Sequence, residues 1–506
     1  MLKTKLLKLL GGLSPEGINE LRIYLFKGDE STAAFRIFTY IVKYHPDFEQ
    51  NKAQLTREKV FKECACKSYN YMYGLCSNLC RDIEGFMIHT ELKEDSMLQD
   101  MLLNRAYAKR GLDEFFEKHN NDTREKILKA ETPEQSYYHT LFRLSYNAAF
   151  HRNNVKLRTE YRSQLKEAEA YLDAYYLLYK LRILCECKTL AGIIDIEKTE
   201  ETKKTEESKK TVEKIETKKP LLNVDYQNFI REEPDDYLIS LYAKTARLYD
   251  EEDPQIYTKL REEIEKGTKP VDAENLSTLL VFLINFCSRK SKENIKANPE
   301  KDTLDYTKEI FDLYEFAFNE DLLKEDGYIP EIHYLSLVKV AVANGNFELA
   351  QQWIHYAKDI KPEYQKNGRK LATAILHFAK GKYSEAQTLL QEIKWRNKNY
   401  KVTSRDLLTK IYYEIKAYKL LNSHISNVRK AIQRDNDLPE RQKRANYNFF
   451  NVVKELAEYE QELKKDKSAL PGKTLLSRLE KHPMVYGEWC RKKFKELTAQ
   501  FPARQA

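Results

Sequence analysis

The stretch "ANGNFELAQQWIHYAKDIKPE" (residues 343–363) is followed 36 residues later by "AKGKYSEAQTLLQEI" (379–393). Both run from a small residue through Gly, a polar residue, an aromatic and an Ala into an apolar stripe. In the first copy Leu349, Ala350, Trp353, Ile354, Ala357 and Ile360 fall at the i, i+3, i+4, i+7 spacing of one helix face. Upstream, "EIHYLSLVKVAVA" (331–343) carries a second helical stripe through Tyr334, Leu337, Val338 and Ala341. Asn344-Gly345-Asn346 supplies the turn between them, because glycine takes the left-handed conformation at no steric cost. Pro362 is expected to stop the second helix. The pattern predicts a helical hairpin.

The hairpin recurs. Gly381, Tyr383, Ala386, Leu390 and Ile393 repeat the offsets of Gly345, Phe347, Ala350, Ile354 and Ala357. A weaker third copy puts Lys416, Tyr418, Leu421, Ile425 and Val428 at those offsets. Spacings of 36 and 35 residues bracket the 34-residue period of the tetratricopeptide repeat. A small residue at Ala350 or Ala386 lets two helices approach closely, and the aromatic before it fills the gap beside the turn. An isolated hairpin leaves one apolar face wet, so the units are expected to stack into a solenoid with a concave surface. The fold class predicted is all-α: a helical N-terminal domain followed by a tetratricopeptide-like α-solenoid.

Composition agrees with helices. In 506 residues there are only 15 Gly and 14 Pro, while 42% are apolar, enough for a continuous core. The net charge of +8 is small beside 86 basic and 78 acidic side chains, and the two signs are interspersed, as on solvated helix faces. The opening "MLKTKLLKLLGGLSPEG" has Lys8 inside its apolar run and no small-residue cleavage site, so it does not read as an export signal. The longest strongly apolar uncharged run, "NLSTLLVFLINFCS" (275–288), is too short to span a bilayer and reads as a buried helix. A soluble, cytoplasmic protein with no membrane partner is expected, its eight cysteines as reduced thiols.

Along the chain, residues 1–133 read as an N-terminal helical domain and 134–195 as a Tyr-rich helical pair. Residues 196–222 read as a charged low-complexity insertion, 223–473 as the repeats, and 474–506 as capping helices with charged outer faces. The insertion core "IEKTEETKKTEESKKTVEKIETKK" (196–219) has too little apolar surface to join a core. Helix starts are marked by Ser14 with Pro15 and Glu16, and by Thr56 with Glu58.

Five stretches carry a family resemblance: "YIVKYHPDF" with "LTREKVFKE", "LDAYYLLYKLRILCE" (172–186), "NGNFELAQQWI" (344–354), "AKGKYSEAQTLLQEIKWRNKNYKVTSRDLLTKIYYE" (379–414) and "GEWCRKKFKEL" (487–497). On these the chain resembles a family of uncharacterised bacterial tetratricopeptide-like helical-repeat proteins. The resemblance implies repeats behind a helical N-terminal domain and implies no activity; the 196–219 insertion departs from it.

Candidate sites are few. Cys64, Cys66, Cys76 and Cys80 offer four sulfurs, the number tetrahedral zinc takes, with Cys76 and Cys80 one helical turn apart. The C-x-C spacing is not that of a zinc knuckle, and buried free cysteine is a common small core residue, so no metal and no cofactor is expected. "PGKT" (471–474) resembles the end of a phosphate-binding loop, but Lys467 stands where its first Gly belongs and no apolar strand precedes it; a helix start is expected. No catalytic motif appears, so an enzyme is not expected. "LTREKVFKECACKSYNYMYGLCSNLCRDIEGFM" reads as helix, short break, helix, with Arg57, Lys59, Lys62, Lys67 and Arg81 basic and Glu58, Glu63, Asp82 and Glu84 diluting them. Tyr171, Tyr175, Tyr176 and Tyr179 form a stripe that reads as core packing.

Register with the tetratricopeptide repeat places Lys339, Phe378, Lys410 and Tyr413 on the inner faces of first helices. That surface suits an acidic or aromatic peptide, although the Lys/Asn pattern of the repeat's known carboxylate clamp is not reproduced. The function expected is a non-catalytic scaffold that binds an unidentified protein or peptide on a concave face. The alternative is a DNA-associated regulator with the repeats as sensor or dimeriser.

Overall fold

The computed structural model describes residues 5–48, 50–130, 135–151, 158–201, 236–267, 270–294, 304–325, 327–393, 398–435, 440–466, 469–482 and 484–501. Among them all regular structure is helical, and the only β-type pairing is an isolated bridge between Glu325 and Tyr328. The protein is all-α. No helix among the described residues is long and apolar enough to cross a membrane. Most of the charged insertion, 202–222, lies outside the described residues. The chain divides into two compact units, Met1–Tyr176 and Leu177–Ala506, and the division falls inside one long helix, α9 (Arg158–Glu201).

The first unit holds α1 (Lys5–Gly11), α2 (Pro15–Phe26), α3 (Ala33–Val42), α4 (Arg57–Glu63), α5 (Tyr69–Glu94), α6 (Ser96–Arg110), α7 (Asp113–Leu128) and α8 (Gln135–Ala149). Ser14 caps α2 by accepting from the Gly17 amide at 3.0 Å, and Thr56 caps α4 by accepting from Lys59. Each satisfies one of the amides a helix start leaves unpaired. Helix α5 is the spine on which α1, α2 and α3 pack. Its buried Met72, Leu79, Ile83 and Phe86 join Leu6, Leu10, Leu21, Ile37, Phe38, Ile41 and Val60 in one core. A smaller cluster of Met97, Ile127, Leu141 and Leu144 joins α6, α7 and α8.

The second unit continues with α10 (Tyr237–Glu251), α11 (Pro254–Lys266), α12 (Ala273–Asn294) and α13 (Tyr306–Asn319). The apolar run at 275–288 lies in α12 and buries Leu279, Leu280, Phe282, Leu283 and Phe286. Three hairpins follow: α14 (Glu331–Ala343) with α15 (Phe347–His355), α16 (Pro362–Ala379) with α17 (Tyr383–Gln391), and α18 (Lys398–Glu414) with α19 (Tyr418–Gln433). Then come α20 (Glu440–Lys465), α21 (Lys473–Lys481) and α22 (Gly487–Gln500). The start of α21 at Lys473 makes "PGKT" a helix entry, as its sequence context suggested.

The three hairpin turns are built alike. Gly345, Gly381 and Lys416 have φ of 74°, 72° and 59°. The following amide reaches back to the end of the first helix each time: Asn346 to Ala341 at 2.9 Å, Lys382 to His377 at 2.8 Å, Ala417 to Tyr412 at 2.9 Å. This is the Schellman closure, which needs a left-handed residue. Glycine meets that need freely in two copies, and lysine meets it under strain in the third. Ala350, Ala386 and Leu421 are fully buried at the matching position, with Phe347, Tyr383 and Tyr418 half-buried before them.

Each first helix packs on its own second helix and on the next first helix: α14 on α15 and α16, α16 on α17 and α18, α18 on α19 and α20. One reading is corrected. Pro362 is the first residue of α16, while α15 ends at His355 and relaxes through a 3₁₀ turn, Tyr356–Asp359. Proline fits a first helical position because the amide it lacks would be unpaired there anyway.

Candidate binding site

One stripe of α18 brings a buried acid and a half-buried base together. Asp406, Lys410 and Glu414 stand four residues apart and so share one face. Asp406 is only 4% exposed. Its burial lifts the carboxyl to about 7 against the pull of Lys410, a hydrogen bond from the Tyr486 hydroxyl, Lys339 and Arg405. Burial lowers Lys410 to about 8, opposed by Asp406. Desolvation disfavours the charged form of each, and the mutual attraction recovers only part of that.

The other side of this stripe is the start of α22. The Lys410 ammonium lies 3.3 Å from the centroid of the Tyr486 ring and 5.8 Å from that of Trp489. Lys493 pairs with Glu414 at 2.8 Å. Side-chain contacts to α18 thus recur along the start of α22, from Tyr486 through Trp489 to Lys493. Cys490, fully buried between them, has its thiol pushed up to about 12 by desolvation.

Lys339, on α14, is open to water, yet surrounding protein still pulls its ammonium below the ordinary lysine value, against the attraction of Asp406. Lys339, Lys410 and Arg405 around a single buried carboxyl leave a surplus of positive charge there, which suits an incoming carboxylate.

Two of the four residues placed on the inner face by register, Lys339 and Lys410, thus meet around Asp406. Phe378 does not join them; it packs beside its own turn, 5.5 Å from Tyr383. Tyr413 is a correction. It is 1% exposed and packs edge-on against Trp489 at 5.4 Å, in the core that α18–α20 share with α21 and α22. The register that put it inside the curve took no account of the C-terminal helix lying over it. Asp406, Tyr486 and Trp489 were missed. Asp406 was within reach, being four residues before Lys410 on the same stripe; the two aromatics are brought in only by the chain's return.

Cys64, Cys66 and Cys80 are buried and Cys76 half-buried, all as free thiols. Burial pushes the Cys64 thiol up to about 12 and the Cys76 thiol up to about 11. Among the described residues no three His, Cys, Asp or Glu side chains are arranged to hold a metal. Compared with protein-family models, curated proteins and solved structures, the chain matches none.

Proposed function

We propose that α14–α20 form a tetratricopeptide-like array and that its inner face binds a protein segment carrying carboxylate and aromatic side chains. The observation that carries this reading is the exposed Lys339 of α14, whose charge acts on the buried Asp406 of α18 together with those of Lys410 and Arg405. Two further features support it. The turns at 345, 381 and 416 close with one hydrogen-bond scheme, and successive first helices pack on one another. The aromatic part of such a ligand has a counterpart within the chain, where Tyr486 and Trp489 lie against Lys410 of α18.

The role is non-catalytic: the site recognises charge and shape, with lysine attracting carboxylate and aromatic groups burying apolar surface. Selection from a displayed random-peptide pool on the full chain tests it. Enriched peptides rich in Asp, Glu and aromatics, weakened about tenfold by Lys339→Glu, are expected. No enrichment, or binders that ignore Lys339→Glu, refutes it.

A further inference from the structure

Gly74 lies inside the 26-residue helix α5, and nothing stands within 4 Å of where a side chain would begin. Glycine in a helix interior costs stability, and no packing demand explains it here. The residue belongs to the outward face of the first turns of α5, where Asn70, Ser77, Asn78 and Arg81 are also exposed.

The approach to this face is a helix, a tight turn and a second helix. Helix α4 ends at Glu63, Ala65 takes a left-handed φ of 48°, and the Cys66 amide closes back on the Phe61 carbonyl at 3.2 Å. Ser68 then caps α5 by accepting from the Tyr71 amide at 3.1 Å. Phe61 stacks on Tyr69 at 4.2 Å, and Arg57 sits over Tyr69 at 4.0 Å, fixing α4 across the start of α5. Helix α3 packs on both, and Ile37, Phe38 and Ile41 share a core with Val60, Cys64, Cys66, Met72 and Leu79. Three helices with a left-handed turn between the second and third are the frame of a helix-turn-helix, whose last helix presents its N-terminal residues to the major groove.

We propose that α3–α5 bind double-stranded DNA, with the first turns of α5 in the major groove and Arg57, Lys62 and Lys67 on the flanking phosphates. Charge favours this occupant. From 57 to 84 there are five basic residues, Arg57, Lys59, Lys62, Lys67 and Arg81, against four acidic, Glu58, Glu63, Asp82 and Glu84, and Glu84 is taken up by Lys5. Arg57, Lys62 and Lys67 make no ion pair with the described residues, in a chain that elsewhere pairs many of its charges. Asn70 and Asn78 carry amides that match adenine edges, and Arg81 a guanidinium that matches guanine. The missing side chain at Gly74 lets the helix backbone come close to the base pairs. This inference stands apart from the peptide-binding reading, which concerns the other unit.

The test is fluorescence anisotropy of the full-length chain with a labelled short mixed-sequence DNA duplex across a range of salt. Binding that weakens linearly in log salt is expected. The combined Lys62→Ala and Lys67→Ala variant, which leaves Arg57 in place over Tyr69, is expected to bind about fivefold or more weakly, with a salt slope shallower by about two. Gly74→Glu, whose side chain has open space in the folded protein, is expected to abolish binding while circular dichroism stays unchanged. No duplex binding at low salt overturns the proposal. So does binding that both variants leave intact, since the charge of the whole chain then accounts for it, and so does preference for single-stranded RNA or for protein over duplex.

Discussion

Lys410 holds its ammonium 3.3 Å from the centre of the Tyr486 ring, joining a first helix of the repeats to the entry of the last helix. Tyr486 reaches this place with a left-handed φ of 53°, a conformation costing a non-glycine residue about 1–2 kcal/mol. The contacts that offset it are the ring under a desolvated cation and the hydroxyl donated to Asp406. Helix α22 is thus more than a polar lid on a final hairpin; Tyr486 and Trp489 at its start pack on Lys410 and Tyr413 of α18.

Asp406 makes stability fall with pH across a defined window. In the unfolded chain its carboxyl titrates near the usual value of about 4, whereas in the folded chain it holds its proton up to about 7. Between these values the folded state binds more protons, so rising pH favours unfolding. Asp406→Asn removes the effect. The difference in denaturant midpoint, wild type minus variant, is expected to decline steadily from pH 4 to pH 7 and to level off above. A flat difference would show a carboxyl that titrates normally.

Lys493 and Glu414 form a pair in which both side chains are largely shielded, 16% and 11% exposed. Removing one partner of such a pair leaves the other charge poorly solvated. Lys493→Met is expected to cost about 2–3 kcal/mol. Adding Glu414→Gln is expected to recover at least 1 kcal/mol, roughly, as a coupling energy in a double-mutant cycle. Additive single effects would place the two groups out of contact.

Two glycines within helices are expected to respond to alanine with opposite signs. At Gly74 the new methyl meets nothing, so Gly74→Ala stabilises by about 0.5–1 kcal/mol. At Gly368, in α16, it would lie 2.7 Å from the Tyr400 hydroxyl oxygen and 2.8 Å from the Ile360 methyl, so Gly368→Ala destabilises by about 1–3 kcal/mol. Urea unfolding of both variants checks the contrast.

Ala386 is fully buried where α17 crosses its neighbours, and the same position of the third hairpin holds Leu421, also fully buried. If each site is packed around its own residue, Ala386→Leu forces neighbours off their rotamers at about 1–3 kcal/mol, and Leu421→Ala leaves a cavity worth about 2–5 kcal/mol. Thermal melts decide it; a neutral Ala386→Leu would indicate a loosely packed crossing.

Local structure was legible in the chain itself because its causes are local. The i, i+3, i+4 stripes, the caps at Ser14 and Thr56, and Gly345 and Gly381 at the turns act within a few residues, and the helices and hairpins appear where they were read. The third hairpin was readable despite Lys416, because the offsets of Tyr418, Leu421, Ile425 and Val428 carry the pattern without the glycine. Pro362 was read as a stop when it is a start, since both roles follow from the same missing amide and only the neighbouring helix end distinguishes them. The site around Asp406 was a matter of tertiary structure. Its partners Lys339, Tyr486 and Trp489 come from helices 67 to 83 residues away in sequence, and no periodicity reports which side chains meet across such a distance. What makes those groups unusual is desolvation, and desolvation exists only once the helices have closed around them.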